Sequence, residues 1–306
     1  MWGMSQHFLR GAYTPLITPF KDGAVDYEAY AAFVEWQISQ GANGLVVGGT
    51  SGESSALSVT ERMNLLRTAL SVAKRRAHVI AATGAASFAD TLALTEHATE
   101  AGAAAVLVLT PMFARPTQAG MVRYYTELAR RTDRPVLIYQ ISSRTNATLG
   151  MDALSDVVAS CPNVVGMKQS DDDREYVHTA LDRFGPNFRI FMGLSEISWD
   201  LIEDGATGLI VAVSNILPHA IRRICDAASS GRTAEAMQIH ETLAGVNSAA
   251  FLETSPGPIK YMAWRLGLIP RLEYRLPLIP PSDEVAARID VALDAGGLLP
   301  QEHHYT

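Results

Sequence analysis

A lysine and a tyrosine stand at the ends of two apolar segments of the chain. Lys168 ends the segment VVGMK, and Tyr139 lies near the end of RPVLIYQ. A buried ammonium group loses its hydration, so lysine is rarely buried without a function. Burial favours the neutral amine, which attacks a ketone to form an imine, and a neighbouring phenol can transfer protons during that step. The two residues therefore indicate Schiff-base chemistry at Lys168, assisted by Tyr139.

Simpler interpretations of both residues stay open at this point. Lys168 can turn to solvent or pair with the acidic run DDD at residues 171–173, and Tyr139 can be a core residue that only satisfies its hydroxyl. Gly166 shares the side-chain parity of Lys168, which predicts open space beneath a lysine that points inward.

The segment GGTSGES, residues 48–54, follows another apolar run and can bind an anion. Its glycines expose backbone N–H groups, which together with the hydroxyls can hold a carboxylate. Because the loop contains no Lys or Arg, carboxylate is favoured over phosphate. Gly49, Thr50 and Ser51 are the candidates for binding in this loop, although Gly-rich loops after strands are common in barrels. Arg144, in the loop SSRTN, is a candidate for bidentate contact with a second carboxylate, although most loop arginines are solvated surface residues.

These residues belong to a repeating pattern of short apolar runs and helical segments. The runs cover residues 12–18, 44–48, 78–83, 104–109, 135–140, 164–168, 188–192 and 209–213. Their alternation predicts a parallel sheet, and eight units within roughly 230 residues favour an α/β fold of the (β/α)8 TIM barrel type. A doubly wound sheet would also require a nucleotide fingerprint, and neither GxGxxG nor GxxxxGK[ST] occurs.

A TIM barrel brings the carboxyl ends of its strands together, which groups the candidate residues in one site. Gly193 and Ser195, at the end of the seventh run, and Ile210, in the eighth, are expected to line the same pocket. After the eighth unit the pattern becomes purely helical, at about residues 233–249, 258–266 and 283–295. We therefore predict a barrel over residues 1–230 and a C-terminal helical extension over 231–306, packed on it as a single structural unit.

The composition of the 306 residues restricts the classes of partner. A formal net charge of −7 without basic runs argues against nucleic acid and anionic membranes, and no stretch has the apolar length of a membrane span. Two isolated cysteines, Cys161 and Cys225, favour reduced thiols rather than a metal site. The N-terminus lacks the apolar core of a signal peptide, so we expect a cytoplasmic protein.

Several separated motifs, in this order, resemble the family of dihydrodipicolinate synthase and N-acetylneuraminate lyase, the pyruvate-dependent class I aldolases. They are TPLITPF, GGTSGES, TPMFARPTQAG, LIYQISSRT, GMKQS and GATGLIVAVSN. The resemblance implies that Lys168 forms an imine with pyruvate, that Thr50 and Ser51 bind its carboxylate, and that Thr50 links Tyr139 to a proton relay. It also implies that no metal or dissociable cofactor takes part, because the protonated imine is the electron sink.

Within the resemblance, Arg144 matches an arginine with which the synthases hold an acidic aldehyde. The implied partners are thus a small 2-keto acid and an aldehyde, and the implied assembly is a homotetramer or a dimer. Phe113 stands where the synthases have a tyrosine, the outer member of the relay, so poor synthase activity is expected. The family's lysine-inhibition pocket is matched by unsuitable residues, among them Arg62 and Met112, so lysine inhibition is not expected.

Three alternatives follow from these departures. The enzyme can be an aldolase or dehydratase for a 2-keto-3-deoxy sugar acid rather than a synthase. It can be a pyruvate-binding protein that has lost turnover, a hypothesis prompted by Phe113. A barrel of unrelated chemistry, such as a nicotinamide-dependent reductase, is disfavoured because no basic phosphate-binding cluster lies near the seventh and eighth strands.

Overall fold

A computed structural model describes residues 8–194 and 199–299. Eight parallel strands close into a barrel, as predicted: β1 (Gly11–Pro15), β4 (Gly44–Val47), β5 (His78–Ala82), β6 (Ala105–Leu109), β7 (Val136–Gln140), β8 (Val164–Gln169), β9 (Arg189–Met192) and β10 (Gly208–Leu209). Each strand pairs with its neighbours along the chain, and β10 closes the ring on β1. Strands β2 (Phe20–Lys21) and β3 (Ala24–Val25) form a separate antiparallel hairpin.

Helices alternate with the barrel strands and continue beyond them. They are α1 (Tyr27–Ser39), α2 (Val59–Ala73), α3 (Phe88–Ala101), α4 (Gln118–Ala129), the short α5 (Ser142–Thr145), α6 (Met151–Ser160), α7 (Arg174–Phe184), α8 (Pro218–Ser229), α9 (Thr233–Ala249), α10 (Gly257–Arg265) and α11 (Asp283–Ala295). The side chains of Asp26, Ser58 and Ser87 cap the first three. Ser58 and Glu61 form the capping box that their spacing predicts.

The predicted eighth strand, residues 209–213, is wrong in its extent. Only Gly208 and Leu209 pair in the barrel, and a 3₁₀ helix, Ala212–Asn215, follows. Buried side-chain hydrogen bonds account for the change of conformation. Asn215 Oδ1 accepts from the amide of Ile17, while its amide group donates to the carbonyls of Pro15 and Ala212. These contacts tie the 3₁₀ helix to the segment at the end of β1 and to its own first turn, in place of a continued strand ladder.

Two layers of apolar side chains surround the strands. One fills the barrel interior and includes Tyr13, Leu137, Phe191 and Ile210, and the other lies between the strands and the outer helices. Tyr139 belongs to the interior layer at the carboxyl end of the barrel. The interior is therefore a packed core that is open to chemistry only at its end.

The C-terminal helices pack on the barrel and on one another. Helix α9 contacts α8, α11 contacts both α9 and α10, and α10 contacts the 3₁₀ helix after β10. The predicted boundary at residue 230 falls in the turn between α8 and α9. Within residues 8–194 and 199–299, no helix is long and apolar enough to cross a membrane.

Candidate active site

Lys168 and Tyr139 are paired neighbours on strands β8 and β7. Both side chains point into the end of the barrel, where Lys168 is 7% exposed and Tyr139 is 5% exposed. Lys168 Nζ lies 4.2 Å from the centre of the Tyr139 ring. The structure thus buries the Lys168 amine against the ring of Tyr139, the two residues that the sequence predicts to be neighbours.

Neither simpler interpretation of Lys168 holds. Its burial excludes a side chain that points to solvent, and no carboxylate within the described ranges forms an ion pair with it. The nearby acidic run has other partners, because Asp171 Oδ1 accepts from the amide and hydroxyl of Ser142 and Asp173 caps α7. Lys168 is therefore a buried amine without a carboxylate partner in the described part of the chain.

The predicted open space at Gly166 is wrong. A Cβ at this position would lie 2.1 Å from the carbonyl oxygen of Arg189 on the adjacent strand. The β7–β8 register shifts just before this point, between Val136 and Leu137. Gly166 thus allows a close approach of two backbones, as glycines in irregular strands often do, and leaves no space beneath the lysine.

The Tyr139 hydroxyl lies among groups that favour its ionised form. Burial by itself would raise the pKa of Tyr139, but the charge of Lys168 and hydrogen bonding by Thr50, Lys168 and Ser170 outweigh burial and lower it. Thr50 Oγ1 stands 3.5 Å from the phenol oxygen, a long contact that is still suited to a relay. A phenol of lowered pKa beside an amine can both donate and accept the protons of imine formation.

The turn that follows β4 presents the predicted anion-binding hydroxyls. Residues Thr50–Gly52 form a 3₁₀ helix, and Gly49, whose backbone is extended, is its N-cap. Ser51 is 7% exposed. The Thr18 hydroxyl donates to the carbonyl of Gly52 and fixes the turn to the segment after β1. Thr50 thereby lies at the Tyr139 hydroxyl, and Ser51 is the next residue in the turn.

The other predicted site residues lie in different surroundings. Gly193 follows β9, and a Cβ there would lie 1.8 Å from Ser170 Oγ and 2.8 Å from Lys168 Cε. Ile210 is fully buried in the barrel interior. Arg144, on α5, is exposed, and its Nη2 donates to the carbonyl of Ser255. Ser195 lies outside the described residues.

Ser170 is a candidate site residue that the sequence analysis missed. It is 7% exposed, its hydroxyl has no hydrogen bond of good geometry to the residues that the structure describes, and it lies close enough to Tyr139 to lower the pKa of that phenol. It directly follows β8 and shares the side-chain parity of Lys168, two residues earlier, which was a signal that could have found it. Phe113, by contrast, is 86% exposed with a φ of 68° and lies away from the barrel core.

Comparisons with known proteins identify the family and agree with the barrel fold. The model of the Dihydrodipicolinate synthetase family matches residues 8–295. A 4-hydroxy-tetrahydrodipicolinate synthase of Nitratidesulfovibrio vulgaris is 35% identical over 290 residues, which cover 95% of this chain and 99% of that protein. The crystal structure of dihydrodipicolinate synthase from Aquifex aeolicus superposes with a TM-score of 0.93 at 32% identity, covering 95% of this chain and 99% of that one.

A further solved structure contains pyruvate. The chloride-inhibited dihydrodipicolinate synthase of Acinetobacter baumannii, complexed with pyruvate, superposes with a TM-score of 0.92 at 32% identity and covers 95% of this chain and 100% of that one. The barrel, the buried lysine beside the tyrosine and the matches along almost the whole length lead to one conclusion: the chain belongs to the dihydrodipicolinate synthetase family.

Proposed function

We propose that the chain is a lyase that joins pyruvate, or a related 2-keto acid, to an acidic aldehyde through a Schiff base on Lys168. The observation that carries the proposal is the burial of the Lys168 amine against Tyr139, with Thr50 at the phenol. No metal or dissociable cofactor is needed for this reaction, because the protonated imine withdraws the electrons.

The proposed reaction proceeds in two stages. The neutral amine of Lys168 adds to the C2 carbonyl of the keto acid, and the carbinolamine loses its hydroxyl group as water to form the imine, with Tyr139 moving the protons. Loss of a proton from C3 then gives an enamine. Its C3 attacks the aldehyde carbon to form the new bond, and hydrolysis of the product imine regenerates the lysine.

The carboxylates of the two substrates would be bound at different places. The turn at Gly49, Thr50 and Ser51 would hold the carboxylate of the keto acid, and Gly193 and Ile210 would border the pocket. Arg144 is proposed for the acidic aldehyde, because its exposed guanidinium makes one hydrogen bond to Ser255 and keeps further donors for a carboxylate.

Reductive trapping tests the imine. Borohydride is added with pyruvate, and the adduct is located by mass spectrometry on one of the four lysines of the chain, Lys21, Lys74, Lys168 and Lys260. We expect one adduct, on Lys168, and none in Lys168→Ala. The exposed Lys74 gives the matched control, since Lys74→Ala should trap normally. An unmodified Lys168, under conditions that trap a related synthase, would contradict the proposal.

A panel of aldehydes separates the possible second substrates. Turnover of an acidic semialdehyde supports the synthase reaction, whereas turnover of short sugar aldehydes, or cleavage or dehydration of 2-keto-3-deoxy sugar acids, supports the alternative of that class. Phe113 motivates the comparison, because an exposed phenyl ring has no hydroxyl with which to complete a relay. Trapping without turnover of any aldehyde would instead support a pyruvate-binding protein.

Assembly and location extend the proposal. The likeness to the family supports a homo-oligomer, a tetramer or a dimer, which sedimentation velocity distinguishes.

A cytoplasmic location is supported by the buried free thiols of Cys161 and Cys225, which suit a reducing compartment. Cell fractionation tests the location.

A further inference from the structure

The turn that carries Thr50 and Ser51 ends in a buried carboxylate. Glu53 directly follows the 3₁₀ helix, and its amide donates to the carbonyl of Thr50. Its backbone has a φ of 58°, a left-handed conformation that is unusual for glutamate. The side chain has no exposed surface. Something in the surrounding structure must hold both the strained backbone and the buried charge.

The partner of Glu53 comes from the C-terminal extension. Lys260, in the middle of α10, lies 207 residues away in sequence, and its Nζ lies 2.5 Å from Glu53 Oε1. Lys260 is also without exposed surface, and its ammonium stands 4.0 Å from the centre of the Phe20 ring and 5.0 Å from that of Tyr274. Burial raises the pKa of Glu53 and lowers that of Lys260 to about 8, so each group depends on the other to stay charged.

Arg275, in the segment after α10, forms hydrogen bonds with the chain that follows the turn. Its guanidinium donates to both carboxylate oxygens of Glu61 on α2 and to the carbonyls of Ala56 and Gly23. Its backbone amide points to Glu53 Oε2 at 3.5 Å. The extension therefore contacts both the Glu53 side chain and the chain just beyond it.

We propose that the buried Glu53–Lys260 pair is a positioning device, through which the C-terminal extension holds the turn at Thr50 and Ser51 in the conformation that binds the keto acid carboxylate. Stability alone does not account for the pair, because an apolar pair of equal volume is often at least as stable as a buried ion pair. The position of the pair accounts for it, because Glu53 is the residue at which the turn ends. The inference rests on the proposed function of that turn.

Pyruvate and acetone together provide the test. Both form an imine with an amine, but only pyruvate carries a carboxylate for the turn. We measure the second-order rates of borohydride trapping on Lys168 and take the ratio of pyruvate to acetone. In Glu53→Gln we expect this ratio to fall by about 10- to 100-fold, because a misplacement near 1 Å costs that much in a bound reactant. The acetone rate should fall less than the pyruvate rate, since acetone has no carboxylate for the turn and depends on it only through the contact of Thr50 with Tyr139.

Two further variants separate positioning from stability. Glu53→Gln combined with Lys260→Met removes both buried charges, so it should fold more stably than either single variant, as read by thermal unfolding, yet keep the low ratio. Arg265→Leu is the matched control, because it removes the Arg265–Asp290 pair of the same extension without touching the turn. It should keep the wild-type ratio.

The outcomes are distinct. If the folded Glu53 variants melt at lower temperature but keep the wild-type ratio of pyruvate to acetone, the pair serves stability alone and the inference is wrong. If the wild-type chain traps no pyruvate on Lys168, the proposed function itself fails, and the inference fails with it.

Discussion

Gly193 provides a direct test of how tightly the Lys168 amine is positioned. A Cβ at this residue would lie 1.8 Å from Ser170 Oγ and 2.8 Å from Lys168 Cε, and φ is not in the left-handed region, so alanine meets a steric clash without backbone strain. Ser170 can rotate, but Lys168 Cε must move by roughly 1 Å to restore a van der Waals separation near 3.8 Å. A reacting atom misplaced by that distance costs about 10²-fold, or about 2.7 kcal/mol in the barrier.

The assay is the single-turnover rate of pyruvate trapping on Lys168, measured for Gly193→Ala beside Gly245→Ala. Gly245 lies on α9, and among the described residues no neighbour outside its own helix turn comes within 4 Å of the position that a Cβ would take, so the added methyl group meets no clash there. We expect a loss of about 10²-fold in the first variant and a normal rate in the control. A Gly193→Ala enzyme that traps at the wild-type rate would refute the packing of Lys168 against this glycine.

Three other predictions follow from the same site. Tyr139→Phe keeps the ring beneath the Lys168 amine but loses the hydroxyl, so imine formation should slow by about 10²- to 10⁴-fold while thermal stability stays close to wild type; equal trapping rates would exclude the phenol as a proton carrier. The pKa of Tyr139 lies below its ordinary value because the Lys168 charge and hydrogen bonds to the phenol outweigh the opposing effect of burial. Lys168→Met should therefore raise the pKa of Tyr139. The near-ultraviolet absorbance of its phenolate should then appear at higher pH than in the wild-type protein. Arg144→Ala should raise the KM for an acidic aldehyde by about 10- to 100-fold without raising the KM for pyruvate, which steady-state kinetics with both substrates varied can verify; parallel changes in both constants would contradict the proposed division of the carboxylates.

Local patterns predicted most of the secondary structure. The bounds of α9 and α11 were predicted at the residues where they occur, because polar and apolar residues alternate there with helical periodicity. The strands that carry Tyr139 and Lys168 were predicted for a similar reason, since continuous apolar runs bounded by turns are typical of buried parallel strands. The eighth strand failed because Val211 and Val213 look like strand residues, whereas the hydrogen bonds of Asn215 impose a 3₁₀ helix.

The sequence by itself predicted that an amine and a phenol lie at the carboxyl ends of two neighbouring strands, with a hydroxyl turn at the same end of the barrel, because strand order in a barrel follows chain order. Only the tertiary structure decided how those groups are held. The bond between Glu53 and Lys260 joins residues 207 positions apart, and the side chains of Ser170 and Lys168 both pack against Gly193 on the next strand end. Such contacts depend on packing between distant segments, which no local pattern of residues records. The sequence therefore predicts Lys168 as a nucleophile, but the structure alone shows what surrounds it.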